Sequence, residues 1–140
     1  MIVIAVADEL FDARNVESAV VHYGDITMTF LNNWFATDLR GTSLTYATLF
    51  GGSSSERGYA IAATDADTIH IGGYTPSSDF PTTAGAYDTT KSSSDDMFVL
   101  SLDLTQTGSS QLSYSTFIGG SGFDRVTGIA VDGANRAHVA

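Results

Sequence analysis

The stretch YATLFGGSSSERGYAIAATD, Tyr46 to Asp65, returns as YSTFIGGSGFDRVTGIAVDG at Tyr114 to Gly133. Laying Leu44 on Leu112 keeps a constant offset of 68 residues, without a gap, to Ala140. Leu44/Leu112, Tyr46/Tyr114, Thr48/Thr116, Gly51/Gly119, Gly52/Gly120 and Ser53/Ser121 are identical. So are Arg57/Arg125, Ile61/Ile129, Ala62/Ala130 and His70/His138, while Phe50/Ile118 and Glu56/Asp124 are conservative pairs. A colinear match of this extent is an internal repeat, and a repeat constrains the fold more than any single residue does.

Each copy reads as strand. SLTYATLF alternates Leu44, Tyr46, Thr48 and Phe50 with Thr45, Ala47 and Leu49, and neither face is charged. YAIAAT and TIHIGGY bracket the polar turn at Asp65-Ala66-Asp67 and read as a hairpin. DMFVLSLD and QLSYSTFI bracket Leu104 to Ser110 and read as a second. Helix signals are nearly absent, with Ala7 to Ala19 the one weak candidate. Two hairpins, repeated, with both sheet faces apolar, predict an all-β chain. The architecture expected is an incomplete β-propeller built of four-stranded antiparallel blades, in which each sheet is buried against its neighbours. Gly58, Ala60, Ala62 and Ala63 suit an inner strand near a crowded axis. Gly51-Gly52, with its repeat Gly119-Gly120, and Gly72-Gly73 suit tight bends.

On this layout residues 58–118 form one complete blade. Residues 1–50 form a divergent first blade, with 34–50 as its outer hairpin and Trp34-Phe35 standing where Met97-Phe98 stands later. Ile4-Ala5-Val6 and Val20-Val21-His22 are offered as its worn inner hairpin, and 1–33 are otherwise unassigned. Residues 126–140 form only the inner hairpin of the next blade. The total is roughly two and a quarter blades, where closed propellers have about 4 to 8. The chain therefore reads as part of something longer, or as a module that completes a ring from several copies.

YATLFGGSSSERGYAIA, IHIGGYTPSSDFPTTAGAYDTT, DDMFVLSLD and YSTFIGGSGFDRVTGIAVDGANRAHVA resemble, in order and spacing, the SBBP-type bacterial β-propeller repeats. The resemblance covers residues 44–140; residues 1–33 depart from it. It implies a propeller in a large secreted or cell-surface protein, without an assigned catalytic activity. Pro76 and Pro81 are expected to stiffen the long connection at the blade edge.

Six basic residues against sixteen acidic ones give a net charge of −10, which argues against nucleic acid or anionic membranes as partners. The absence of cysteine excludes disulfides and thiolate metal sites. Met1 to Ala7 is apolar but lacks a basic leader and runs into Asp8-Glu9, so it does not read as a signal peptide. No stretch has the about 20 apolar residues of a spanning helix.

No catalytic residues are expected. His70 and His138 share a register position, which points to a repeated structural role, and His22 reads as an isolated surface residue. Asp65, Asp67, Asp132 and Asn135 lie in equivalent hairpin turns and are the one candidate Ca²⁺ set, but they lack a full loop spacing and a closing glutamate. They read first as turn residues. Asp95-Asp96 reads as a solvated strand entry. Arg57 with Glu56, and Arg125 with Asp124, are expected to tie blades together by ion pairs, with a ligand-facing arginine as the sharper reading. Tyr46, Phe50, Phe98 and Tyr114 read as core, and Tyr74 and Tyr87 as the better candidates for stacking on a sugar. The function expected is a non-enzymatic structural or binding scaffold, its partners other blades, further copies, a glycan or a protein. The alternative is a propeller hydrolase or lyase whose axial site needs further blades.

Overall fold

The computed structural model describes residues 2–7, 19–22, 44–63, 67–92 and 94–140. These fall into two compact units, Met1–Phe50 and Gly51–Ala140. The described residues are strands joined by turns, with a single 3-10 turn at Gly108–Gln111, so the chain is all-β as expected.

In the first unit, strand β1 (Ile2–Ala7) lies between β2 (Ala19–His22) and β3 (Leu44–Phe50). β1 pairs antiparallel with β3, Ile4 opposite Thr48, and parallel with β2, Val3 opposite Ala19. The parallel pair corrects the hairpin reading of Ile4–Val6 and Val20–His22. A hairpin needs a tight turn, whereas parallel strands need a crossover, and the eleven-residue stretch 8–18 between them is far longer than a tight turn. The candidate helical stretch and the strand expected around Trp34-Phe35 lie outside the described residues.

The second unit is a four-stranded antiparallel meander, β4 (Arg57–Ala63), β5 (Thr68–Thr75), β6 (Asp96–Asp103) and β7 (Leu112–Ile118), followed by the hairpin β8 (Ile129–Val131) and β9 (Ala137–Val139). Both hairpins read from sequence, β4–β5 and β6–β7, are present. The repeat is kept in the pairing itself. Ile61, Ala62 and Ala63 oppose Ile71, His70 and Ile69; at the same offset Ile129, Ala130 and Val131 oppose Val139, His138 and Ala137. β3 and β7 likewise start and end at equivalent residues.

One face of the meander carries Ile69, Ile71, Phe98, Leu100, Leu102 and Phe117, all essentially fully buried. Their period-2 spacing puts them on one side of the pleat, and Phe80 from the long 76–92 connection packs on Phe98 at 4.5 Å and Phe117 at 6.0 Å between ring centroids. The same connection shields the outer edge of β7: Thr83 N–H donates to Ser115 O, and Phe117 N–H donates to Asp88 O, both at 3.0 Å. An edge satisfied by its own loop is closed to stray pairing. On the opposite face, fully buried Val126 packs with Ala60 and Val99, flanked by Met97, Ile118 and Ile129, and seats β8 beside β4. Phe50 and Phe98 are buried as expected, but Tyr114 is 40% exposed and is corrected from the core assignment.

The glycines of the repeat do not share one role. Gly51 has φ of 150°, a backbone region that disfavours side chains. Gly119 differs in backbone conformation: among the described residues the glycines of positive φ are Gly51, Gly85 and Gly108. What Gly119 supplies is clearance, since a Cβ there would lie 3.2 Å from both Asp124 Oδ2 and Asp96 Cγ. The two carboxylates close in on its bare Cα, so the repeat keeps the glycine while changing the reason for it. Gly72 and Gly73, expected at a tight bend, are corrected: both lie inside β5, paired on both sides, and a Cβ on Gly73 would run into the carbonyl of Arg57, which lies across the pair from Tyr74 at the point where β4 bulges.

Candidate functional site

β4 and β5 slip register between Gly58 and Ala60, leaving Tyr59 as the extra residue of a bulge. A bulge re-aims the side chain it carries. Tyr59 stacks on Tyr74 with ring centroids 5.8 Å apart and an interplanar angle of 29°. Phe123, from the loop after β7, tilts against Tyr74 at 5.4 Å. The guanidinium of Arg125 sits 5.7 Å from the centroid of Tyr59, in cation–π range. Arg57 is the register partner of Tyr74 and is exposed. Three rings and the Arg125 guanidinium thus meet at one end of the sheet, where Arg57 stands opposite Tyr74 in register, with Phe123 58% exposed and both tyrosines half-buried.

Three of the expected ligand residues, Tyr74, Arg57 and Arg125, fall in this cluster. Tyr87 does not: it is 82% exposed and lines a separate pocket. Sequence reasoning missed Tyr59 and Phe123. The signal was present as a break in the repeat, since Thr127 stands at the position of Tyr59 and Ser55 at that of Phe123. The other copy of the repeat carries small polar residues there, so these rings are not what the sheet requires.

The acidic partners behave differently from expectation. Glu56 is buried and accepts hydrogen bonds from Thr75 Oγ1 at 3.1 Å and from Ser77 Oγ. Asp124 accepts from the Gly120 N–H at 2.9 Å. Among the described residues the Arg136 guanidinium pairs with Asp132 at 2.8 Å, and no ion pair joins Glu56 to Arg57 or Asp124 to Arg125. Asp96 is also corrected: it is buried, and its carboxylate accepts the N–H and hydroxyl of Ser92 at 2.6 and 3.0 Å. It holds the loop into β6 in place instead of meeting solvent.

The candidate cation turn is occupied by protein. Asp132 Oδ1 accepts the N–H groups of Ala134 and Arg136, and Oδ2 accepts Arg136 Nε at 2.8 Å and faces His138 Nε2 at 3.0 Å. These bonds, led by that to His138, hold its carboxyl well below the usual range. Asn135 sits at φ 61°, the left-handed position of the turn. A guanidinium against the carboxylate opposes a cation there. Asp67 uses its carbonyl to accept Leu104 N–H at 2.7 Å, and Asp65 lies outside the described residues. Among the described residues no group of three potential ligands gathers.

The repeated histidines share register but not surroundings. His70 is buried on the sheet face opposite Ser101, while the side chain of His138 is 63% exposed. Tyr46 lies in β3 opposite Val6, and its side chain lies outside the described residues, as does that of His22. Among the described residues no helix is long and apolar enough to cross a membrane. Compared with known proteins, the chain matches no family model, no curated protein and no solved structure.

Proposed function

We propose that the chain is a segment of an SBBP-like β-propeller that works as a non-enzymatic binding scaffold in a secreted or cell-surface bacterial protein, with a glycan as the ligand. The blade reading is supported by the meander β4–β7 and by the return of its first hairpin, pair for pair, as β8–β9. The observation that carries the binding reading is the cluster of Tyr59, Tyr74 and Phe123 with Arg125 and Arg57 at one end of the sheet. A half-exposed ring offers its face to the C–H surface of a pyranose, and neighbouring guanidinium groups donate to hydroxyl or carboxylate oxygens. The net charge of −10 makes two arginines beside the aromatics a local exception to the field of the molecule.

The test is an array of neutral and uronate-containing oligosaccharides, with hits confirmed by titration calorimetry. Phe123→Ala and Arg125→Ala are expected to weaken binding at least about tenfold, equivalent to about 1.4 kcal/mol, while Tyr87→Ala leaves it unchanged. Binding that survives Phe123→Ala, or no binding across the array, overturns the glycan reading.

A further inference from the structure

In a chain of sixteen acidic and six basic residues, a guanidinium with no carboxylate beside it is an exception. Arg57 and Arg125 occupy the same position in the two copies of the repeat, each directly after an acidic residue, and both are exposed. Among the described residues no carboxylate pairs with either guanidinium. The reason lies in where the acids turn. Glu56 is buried and accepts from the hydroxyls of Thr75 and Ser77, and Asp124 accepts from the Gly120 N–H. Asp79, after β5, accepts from the N–H and hydroxyl of Ser53 at 2.9 and 3.0 Å, and Asp96, at the start of β6, from those of Ser92. Register gathers all of these at the end of the meander that carries the rings, since Arg57 opposes Tyr74, Thr75 opposes Asp96 and Met97 opposes Ile118. Four carboxylates are thus engaged by neutral donors. The guanidinium of Arg125, 5.7 Å from the Tyr59 centroid, has five N–H donors and no acidic acceptor.

We propose that the ligand is an acidic glycan presenting one carboxylate sugar, its ring over the cluster of Tyr59, Tyr74 and Phe123 and its carboxylate on Arg125, with the neighbouring sugars uncharged. The inference rests on the glycan reading and narrows it. A planar carboxylate matches the guanidinium fork and accepts two N–H bonds at once, which a hydroxyl does not. An isolated carboxylate is favoured over a run of them. Four protein carboxylates stand at the same end of the sheet and the net charge is −10, so a second uronate meets repulsion where the first meets attraction.

The test pairs each uronate-containing oligosaccharide of the array with its carboxyl-reduced form, the same chain with the carboxylate converted to a primary alcohol. In titration calorimetry the native chain is expected to bind oligosaccharides bearing one uronate at least about tenfold more tightly than their reduced forms, the size of one charge-assisted contact. Oligosaccharides of uronate alone, at equal length, are expected to bind more weakly than those bearing one. Arg125→Gln, at an exposed site, is expected to bring the ratio of acid to reduced form to about one, and Arg125→Lys to keep only part of it, because an ammonium supplies the charge without the fork. Tyr87→Ala, in the separate pocket of about 430 Å³ beside β9, is expected to leave the ratio unchanged. Equal affinity of the native chain for acid and reduced forms overturns the proposal and leaves the glycan reading standing. So does a preference that survives Arg125→Gln, or an all-uronate oligosaccharide bound as tightly as one bearing a single uronate. No binding of either form overturns the glycan reading, and this inference with it.

Discussion

Gly72→Ala introduces a methyl whose carbon would lie 2.6 Å from Val126 Cγ1 and 3.0 Å from Val126 Cβ. Val126 is fully buried in the cluster that seats β8 on the sheet, so the added carbon has no free space to enter. Overpacking of this kind costs about 1–3 kcal/mol, set against about 0.5–1 kcal/mol gained by restricting the unfolded chain. Val126→Ala alone removes two buried methyl groups and leaves a small cavity, for about 2–3 kcal/mol. The double variant is informative because the two changes answer each other. Truncating Val126 withdraws the carbon at 2.6 Å, and the methyl added at Gly72 fills part of the space left behind. The double variant is therefore expected to be no less stable than Val126→Ala, with a coupling of about 1–2 kcal/mol in the favourable direction. Urea unfolding followed by circular dichroism measures all four corners of the cycle. A neutral Gly72→Ala, or costs that add, would refute the placement of Val126 against Gly72 and with it the seating of the second hairpin.

The equivalent glycines Gly52 and Gly120 are expected to differ: a Cβ on Gly52 would lie 2.5 Å from both Asp79 Oδ1 and Ser77 Cβ, while one on Gly120 meets nothing. Gly52→Ala should lower stability by about 1–3 kcal/mol and Gly120→Ala by less than about 0.5, measured by urea midpoint. Glu56→Ala strands the buried hydroxyls of Thr75 and Ser77 and should cost about 2–3 kcal/mol, whereas Asp124→Ala, which frees only an exposed N–H, should cost well under about 1 kcal/mol. Asp132 has its folded pKa depressed from an ordinary value of 3.8, chiefly through His138, so its contribution is present above about pH 4 and is lost as the pH falls further. The difference in melting temperature between the native chain and Asp132→Asn should accordingly shrink as the pH is lowered from about 6 towards about 2; a constant difference would refute the link.

The legible part of the fold was local. β4–β5 and β6–β7 pair strands close in sequence, so alternation and turn residues in a short window are enough to name partners and register. The site was legible only at its repeated or loop-flanking members, Arg57, Arg125 and Tyr74. Asp96 was misread because a carboxylate at a strand entry looks the same on paper whether solvent or the Ser92 loop receives it. The role of Gly119 was legible only in outline, because identity with Gly51 marks a position where a side chain is excluded, without saying whether φ or a neighbouring carboxylate excludes it. The parallel pairing of β1 with β2 was misread because two short apolar runs carry no mark of relative direction.

By itself the sequence determined the period of 68 residues, the all-β class and the two hairpins of the meander, because strand alternation and turn residues are local and the first hairpin's pairing recurs in β8–β9. Tertiary structure alone decided the aromatic and arginine cluster and the pocket beside β9. The first depends on a one-residue bulge that turns Tyr59 onto Tyr74, with Phe123 arriving from a loop distant in sequence. The second depends on where Val126 seats the second hairpin against the sheet. Contacts between distant segments are set by bulge, twist and packing acting together, and no local pattern in the chain encodes their sum.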